Sequence, residues 1–435
     1  MIALDRARAL RHAMPDGGLF GGMSWRSAAR PLALGPELAS EIEALGRVFH
    51  QFYKAVNQLY RRSAEGRAPA WVAGVLDQGK PAELVALQRS AALRNELPRV
   101  IRPDLLLTDE GFIVSELDSV PGGIGLTQWL NQTYAALGEA VIGGASGMRE
   151  GFESIFGAAP RVHLVVSDEA AAYRPEMAWL ASQAEGGRFQ VHGGGFDAPA
   201  DGDAVYRFFE LFDLAEVPGS AALFRAALEK RIRLTPPPRP IFEEKLLFAL
   251  LWNRNLREFW RQELGEGFYL RLLKIVPRSW LLDPEPLPPH AAYPGLEITE
   301  WAQLKSLSQR ERALVLKISG FSPEAWGSRG VHLGSDLSAG EWGAAVDRAL
   351  ASWPGAPYLL QRYHKPRLLQ AEAIDLETGE ITPQAVRARL CPYYFVSCDG
   401  DQARPRLGGV LATLNPADKK IIHGMSDAIL APCSA

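Results

Sequence analysis

The chain has 435 residues, 47% of them hydrophobic, enough to bury a large core in two or three packed modules. A formal charge of −3 and a pI near 6.3 give no basis for nucleic-acid binding, which needs a concentrated basic face. The longest apolar runs, such as Leu246–Trp252, are far too short to span a bilayer.

Met1–Gly18 scatters charges and has no apolar segment of the secretory kind. The three cysteines, Cys391, Cys398 and Cys433, fit neither a disulfide framework nor a zinc pattern. Cys391, in an apolar run, reads as a core residue. A reducing, cytoplasmic setting is expected.

The first ninety-odd residues read as helix. Leu38, Ile42, Leu45, Val48, Phe49 and Phe52 recur at helical spacing within Glu37–Arg62. Val100–Leu107 and Phe112–Leu117 read as strands joined through Asp109-Glu110-Gly111. After Pro121-Gly122-Gly123 a helix is predicted from Leu126 to Leu137. Val162–Val166 is a short continuous apolar run of the kind buried parallel strands show. With a helix at Pro175–Gln183 and strands at Phe189–His192 and Ala204–Phe209, it predicts a small α/β module. Gly193-Gly194-Gly195 reads as a turn. Thr235–Pro240 is a bend, followed by a predicted helix over Phe242–Gln262. A β-rich segment then carries strands at Leu314–Ile318, Gly330–Leu333, Tyr358–Tyr363, Leu368–Ile374, Val386–Val396 and Gly408–Leu414, with a helix at Glu341–Trp353.

The stretch from Arg102 to Asp118 is the most informative. A three-residue loop, Asp109-Glu110-Gly111, would pair Thr108 with Phe112, Asp104 with Glu116 and Arg102 with Asp118. Side chains alternate faces. Arg102, Asp104, Glu116 and Asp118 then share one face, and Leu105, Leu107, Ile113 and Leu117 the other. A two-residue turn would shift the register and break this alignment. Facing carboxylates repel unless something positive stands between them. A magnesium ion suits that place, since it takes oxygen ligands from carboxylates, phosphate and water. Arg102 would orient the carboxylates or hold a substrate anion. On the residues alone, a solvent-exposed charged face is the other reading.

In these residues the chain resembles the circularly permuted ATP-grasp enzymes, and among them the synthetase part of glutathionylspermidine synthase. That family has R-x-D followed at this spacing by E-x-N. Here Arg102-Pro103-Asp104 and Glu116-Leu117-Asp118 match, with Asp118 in place of Asn. The resemblance implies that Asp104, Glu116 and Asp118 hold magnesium. It implies two lysines on ATP phosphates: Lys245, after Glu244 in place of the usual Asn, and Lys317, on a strand entering a loop with Gly320, Gly327 and Gly330. It places Gln361 beside the adenine, with Arg362 and Tyr363 offering main-chain groups. It places Arg389, or second Arg387, near the γ-phosphate. Thr413 stands where the family often has Arg, and His423-Gly424 lies where the site would close.

The fold so implied is a mixed α+β and α/β, circularly permuted ATP-grasp fold. Its expected segments are a helical N-terminal region (1–97), a metal-binding hairpin and helix (98–160), a preATP-grasp-like α/β module (161–240) and nucleotide-binding subdomains (241–435). The implied activity is an ATP- and magnesium-dependent ligation of small-molecule or peptide carboxylates to amines through an acyl phosphate. Arg102, Lys317 and Arg389 are the candidate catalytic residues, and Arg102 and Arg207 are candidate grips for an acidic substrate. No preceding amidase domain is expected. A kinase on the same scaffold, or a non-catalytic nucleotide-binding scaffold, are the rival readings.

Overall fold

The structure, a computed structural model, describes residues 3–19, 25–325, 329–399, 402–419 and 427–435. The chain forms two compact units. The first comprises residues 1–53, 90–242 and 366–435, and the second 54–89 and 243–365. The division differs from the expected segments. The helical N-terminal region is shared between the units, segments 98–160 and 161–240 fold together, and segment 241–435 is cut after Lys365.

The first unit is built on an eight-stranded sheet. At its centre the long strands Ile381–Asp399 and Gln402–Pro416 run antiparallel, joined from Val386↔Pro416 to Asp399↔Gln402. On one side follow Val100–Thr108 and then Gly111–Asp118. On the other lie Ile429–Ser434, Arg26–Ala28 and Leu369–Ile374, with the short strand Leu32–Ala33 also paired to Ile429–Ser434.

A second, four-stranded sheet in this unit is wholly parallel, in the order Phe189–Gly193, Val162–Val166, Ala204–Phe208, Arg233–Thr235. It is the predicted α/β module, with Arg174–Gln183 as a crossover helix. Its two central strands are buried at every position, His163 and Arg207 included. Phe152 ties the two sheets together. Its ring lies 5.0 Å from Tyr206 in the parallel sheet and 6.2 Å from Phe395 in the large one.

The helix Ile124–Ala136 is buried at ten of its thirteen positions, so it carries no polar face for solvent. Its first residue follows Gly123, which is left-handed at φ 89° and has no side chain to cap the helix. That task falls to a distant residue described below.

The second unit holds an antiparallel sheet in the order Val331–Leu333, Leu314–Ile318, Tyr358–Arg362, Ser279–Leu281. The helix Ala339–Ala351 packs Trp342, Ala345, Val346 and Ala349 into its core. Ser338 and Glu341 close its N-terminus with a reciprocal capping box. The helix predicted over Phe242–Gln262 is interrupted. Leu247–Trp252 and Arg257–Ile275 are separate, because the Asn253 side chain accepts the Asn255 N–H at 2.9 Å and starts a new turn.

Candidate functional site

In the first unit the charged hairpin has the predicted alignment by an unpredicted route. Thr108 pairs with Gly111, so the turn is the two-residue Asp109-Glu110 and not a three-residue loop. That alone would break the charged register. A β-bulge at Ser115, where Asp104↔Glu116 gives way to Leu105↔Val114, supplies the missing residue. Arg102↔Asp118 and Asp104↔Glu116 therefore face each other as expected.

What stands between the carboxylates is arginine. Arg102 Nη2 lies 3.1 Å from Asp104 Oδ1 and 3.0 Å from Asp118 Oδ2. Arg389, opposite Leu106 on the neighbouring strand, donates to Asp104 Oδ2 at 3.1 Å. The Cys391 thiol sits 3.4 Å from Asp104 Oδ1, and the Val120 N–H donates to Asp118 Oδ1 at 2.7 Å. Burial works against the Arg102 charge, but Asp104 and Asp118 hold its pKa well above the ordinary arginine value. Burial raises the Asp118 pKa; Arg102 opposes the shift, and Glu116 adds to it. Burial also pushes the Cys391 thiol up to about 12, so it stays protonated.

The residues as arranged do not fit a magnesium ion. Both oxygens of Asp104 and of Asp118 are engaged by protein groups. Among the described residues no group of three His, Cys, Asp or Glu side chains is spaced to hold a metal. The expectation that Asp104, Glu116 and Asp118 converge on a cation is corrected in this respect. The positive charge that the facing carboxylates demand comes from Arg102 and Arg389. Each of these arginines keeps a buried Nε with no hydrogen-bond partner among the described residues.

The turn after Asp118 is held by a residue that the sequence did not single out. Glu176 is fully buried, and its two oxygens accept the N–H groups of Gly123 (2.7 Å) and Leu126 (2.9 Å). It caps from outside a helix whose own cap is glycine. The Tyr393 hydroxyl donates to Gly122 O at 2.7 Å, so both ends of the Gly122-Gly123 step are fixed. Burial raises the Glu176 pKa from 4.5 to about 7, against the two N–H donors. The folded chain therefore binds this proton more tightly than the unfolded chain. Its contribution to stability is full below pH 4.5 and is lost as pH rises toward about 7. Thermal melts across that range are expected to show a decline in wild type that Glu176→Gln lacks; parallel curves would contradict the assignment.

Other predicted residues of this unit have structural roles. Arg207 is fully buried and donates to the carbonyls of Phe209, Pro236 and Pro237, so it anchors the proline bend. Arg387 donates to Ala417 O at 3.1 Å and to Pro366 O, bracing strand ends away from Asp104. Thr413 is opposite Arg389 and fully buried. Asn415, opposite Arg387, is equally buried, with neither amide atom partnered among the described residues. His423-Gly424 lies outside the described residues.

In the second unit, Lys317 is buried on the strand Leu314–Ile318 and donates to Gln361 Oε1 at 2.9 Å. Gln361 Nε2 donates in turn to Ser279 Oγ at 3.1 Å. Lys245 Nζ donates to Ala325 O at 2.9 Å. The two lysines and Gln361 thus fall in one unit, as the motif order implies. Gly320 and Gly330 are required by space. A Cβ on Gly320 would lie 1.8 Å from Glu243 O, and one on Gly330 2.5 Å from Ile318 Cγ2. Gly327 lies outside the described residues. The N–H groups of Arg362 and Tyr363 are already committed, to Arg278 O at 2.8 Å and Ala313 O at 2.9 Å. Those two N–H groups are taken up within the unit, and the pairing of Gln361, Arg362 and Tyr363 with an adenine stays a proposal.

Glu244 takes on a larger part than its motif position suggested. It is paired with Lys80, accepts the Ser319 hydroxyl, and accepts the Gly320 N–H at 3.3 Å. Lys80 belongs to the helical N-terminal region, where nothing in the local pattern marks it.

No protein-family model and no curated protein matches the chain. Among solved structures it is similar to a glutathione synthetase-like effector from Globodera pallida in its apo form. That match has a TM-score of 0.54 at 11% identity and covers 99% of this chain and 96% of that one. A Methylobacillus flagellatus protein assigned as a gamma-glutamylcysteine synthetase overlaps at a TM-score of 0.39 and 12% identity, over 94% and 90% of the two chains. The second overlap is too loose to carry an argument. The first is a likeness of fold alone: a mixed α/β architecture over nearly the whole chain.

Proposed function

We propose that the chain is an ATP-dependent carboxylate–amine ligase on an ATP-grasp scaffold. A substrate carboxylate oxygen attacks the γ-phosphorus and ADP leaves. An amine then attacks the acyl carbon, phosphate leaves, the amine proton passes to solvent, and an amide remains. Such chemistry is mostly positioning and charge neutralisation.

The observation that carries this reading is the arrangement of the second unit. A buried lysine on a central strand is held by a carboxamide, next to a chain segment whose glycines have no room for a side chain. Lys317 and Lys245 would neutralise phosphate oxygens. Arg102 and Arg389, in the first unit, remain candidates for an acidic substrate, each with an Nε that has no hydrogen-bond partner among the described residues. The reading does not rest on a divalent ion at Asp104 and Asp118, whose oxygens are engaged within the first unit. The likeness to a glutathione synthetase-like effector supports peptide-type acids and amino acids as first substrates to try.

The test is an ADP-release assay with ATP supplied as its magnesium salt, with γ-glutamyl peptides and amino acids as substrates and mass detection of amide. ADP and amide that both require the amine support the ligase. ADP formed without dependence on amine would make the chain a kinase. Neither product, with ATP bound, would make it a nucleotide-binding scaffold.

A further inference from the structure

We infer that Lys80 and Glu244 are positioning residues of the nucleotide-binding unit, holding the start of the glycine loop while keeping a carboxylate charge off the phosphates. This rests on the reading that the second unit takes ATP.

Both side chains of the pair are 1% exposed. Glu244 accepts from Ser319 Oγ and Gly320 N, the first two residues after the Lys317 strand. The next residue, Lys245, reaches Ala325 O at 2.9 Å. Residues 244 and 245 therefore hold the two ends of the segment 319–325. Gly320 cannot move away from this contact and regain it with a side chain, since its Cβ position is filled by Glu243 O.

Lys80 is itself held. Gly79, before it, is left-handed at φ 71°, and a Cβ there would lie 1.9 Å from Gly355 O. The Lys80 ammonium also lies 5.8 Å from the Phe321 ring centroid, on the loop it serves. A buried carboxylate beside a phosphate site repels the ligand unless it is neutralised locally. Lys80 supplies that charge from a segment far away in sequence. In this chain, Glu244 and Lys80 make sense only together.

The coupling gives the test. ATP binding to the full chain is measured by fluorescence titration, with circular dichroism and Tm on each variant. Lys80→Met leaves Glu244 charged and alone, and is expected to weaken ATP binding about tenfold or more. Glu244→Gln keeps hydrogen bonds to Ser319 and Gly320, and is expected to change binding less than about threefold. The double variant should recover most of the Lys80→Met loss, although it lacks more of the native contacts. Should Lys80→Met not fold, Lys80→Gln gives the same readout. Wild-type affinity in a folded Lys80 variant, or a double variant no better than the single, overturns the inference. Absence of ATP binding by the wild-type chain would instead sink the nucleotide reading, and this inference with it.

Discussion

Lys317→Met is expected to lower ATP turnover by about 10²–10³-fold, the range seen when one preorganised group facing developing charge is removed. Lys317 is 8% exposed and fixed by Gln361, which Ser279 fixes in turn, so its ammonium is placed before any ligand arrives. Preorganisation is what makes such a charge effective in a transition state. Methionine keeps most of the stem volume but leaves Gln361 Oε1 without this donor, so Tm should fall only by the worth of about one buried hydrogen bond. That pairing of results separates a working site from a structural one. A variant that loses Tm in step with activity would mean Lys317 serves the fold. One that retains full turnover would remove Lys317 from the reaction. The effect should fall on kcat as well as on KM for ATP, because the γ-phosphate carries the developing charge.

Asp104→Leu is expected to destabilise the first unit by about 3–5 kcal/mol, the cost of leaving buried arginine charge without its partner. Asp104 is 3% exposed and receives Arg102, Arg389 and the Cys391 thiol. Its loss removes the carboxylate that Arg389 contacts and one of the two that Arg102 contacts. Denaturant midpoints at constant m-value measure this directly. The double variant Asp104→Leu/Arg389→Met should recover part of the loss, because the orphaned charge goes with it. A shift below about 1 kcal/mol, the scale of an exposed pair, would show that the arginine clamp is solvated and not the buried network described. Asp104→Asn should fall between the two, since it keeps hydrogen-bond acceptance without the charge.

Much of the architecture was legible from local pattern. The apolar run Val162–Val166 marked a buried parallel strand, and Asp109-Glu110-Gly111 between two strand-like segments marked a hairpin. The charged register of that hairpin was right for a wrong reason. Asp109-Glu110-Gly111 suits a two- or a three-residue turn, and the residue removed from the turn reappears as a bulge at Ser115. A bulge next to a shortened turn leaves the far register untouched, so the pairing could be read without the turn being known. The broken helix after Phe242 was not legible, because Asn253 acts through a local side-chain bond that periodicity does not register.

The candidate site divides in the same way. Residue types and faces followed from the sequence: Asp104 with Glu116, Arg102 with Asp118, and Lys317 leading into Gly320. Partners did not. That Arg389 neutralises Asp104, that Glu176 caps the turn after Asp118, and that Lys80 neutralises Glu244 depend on segments distant along the chain. Periodicity determines which way a side chain points because that is set by backbone geometry within a few residues. Which opposite charge it meets is decided by strand order and packing between remote segments. For this protein the sequence by itself determined the elements and their buried faces, and the tertiary structure decided that arginine stands among the carboxylates.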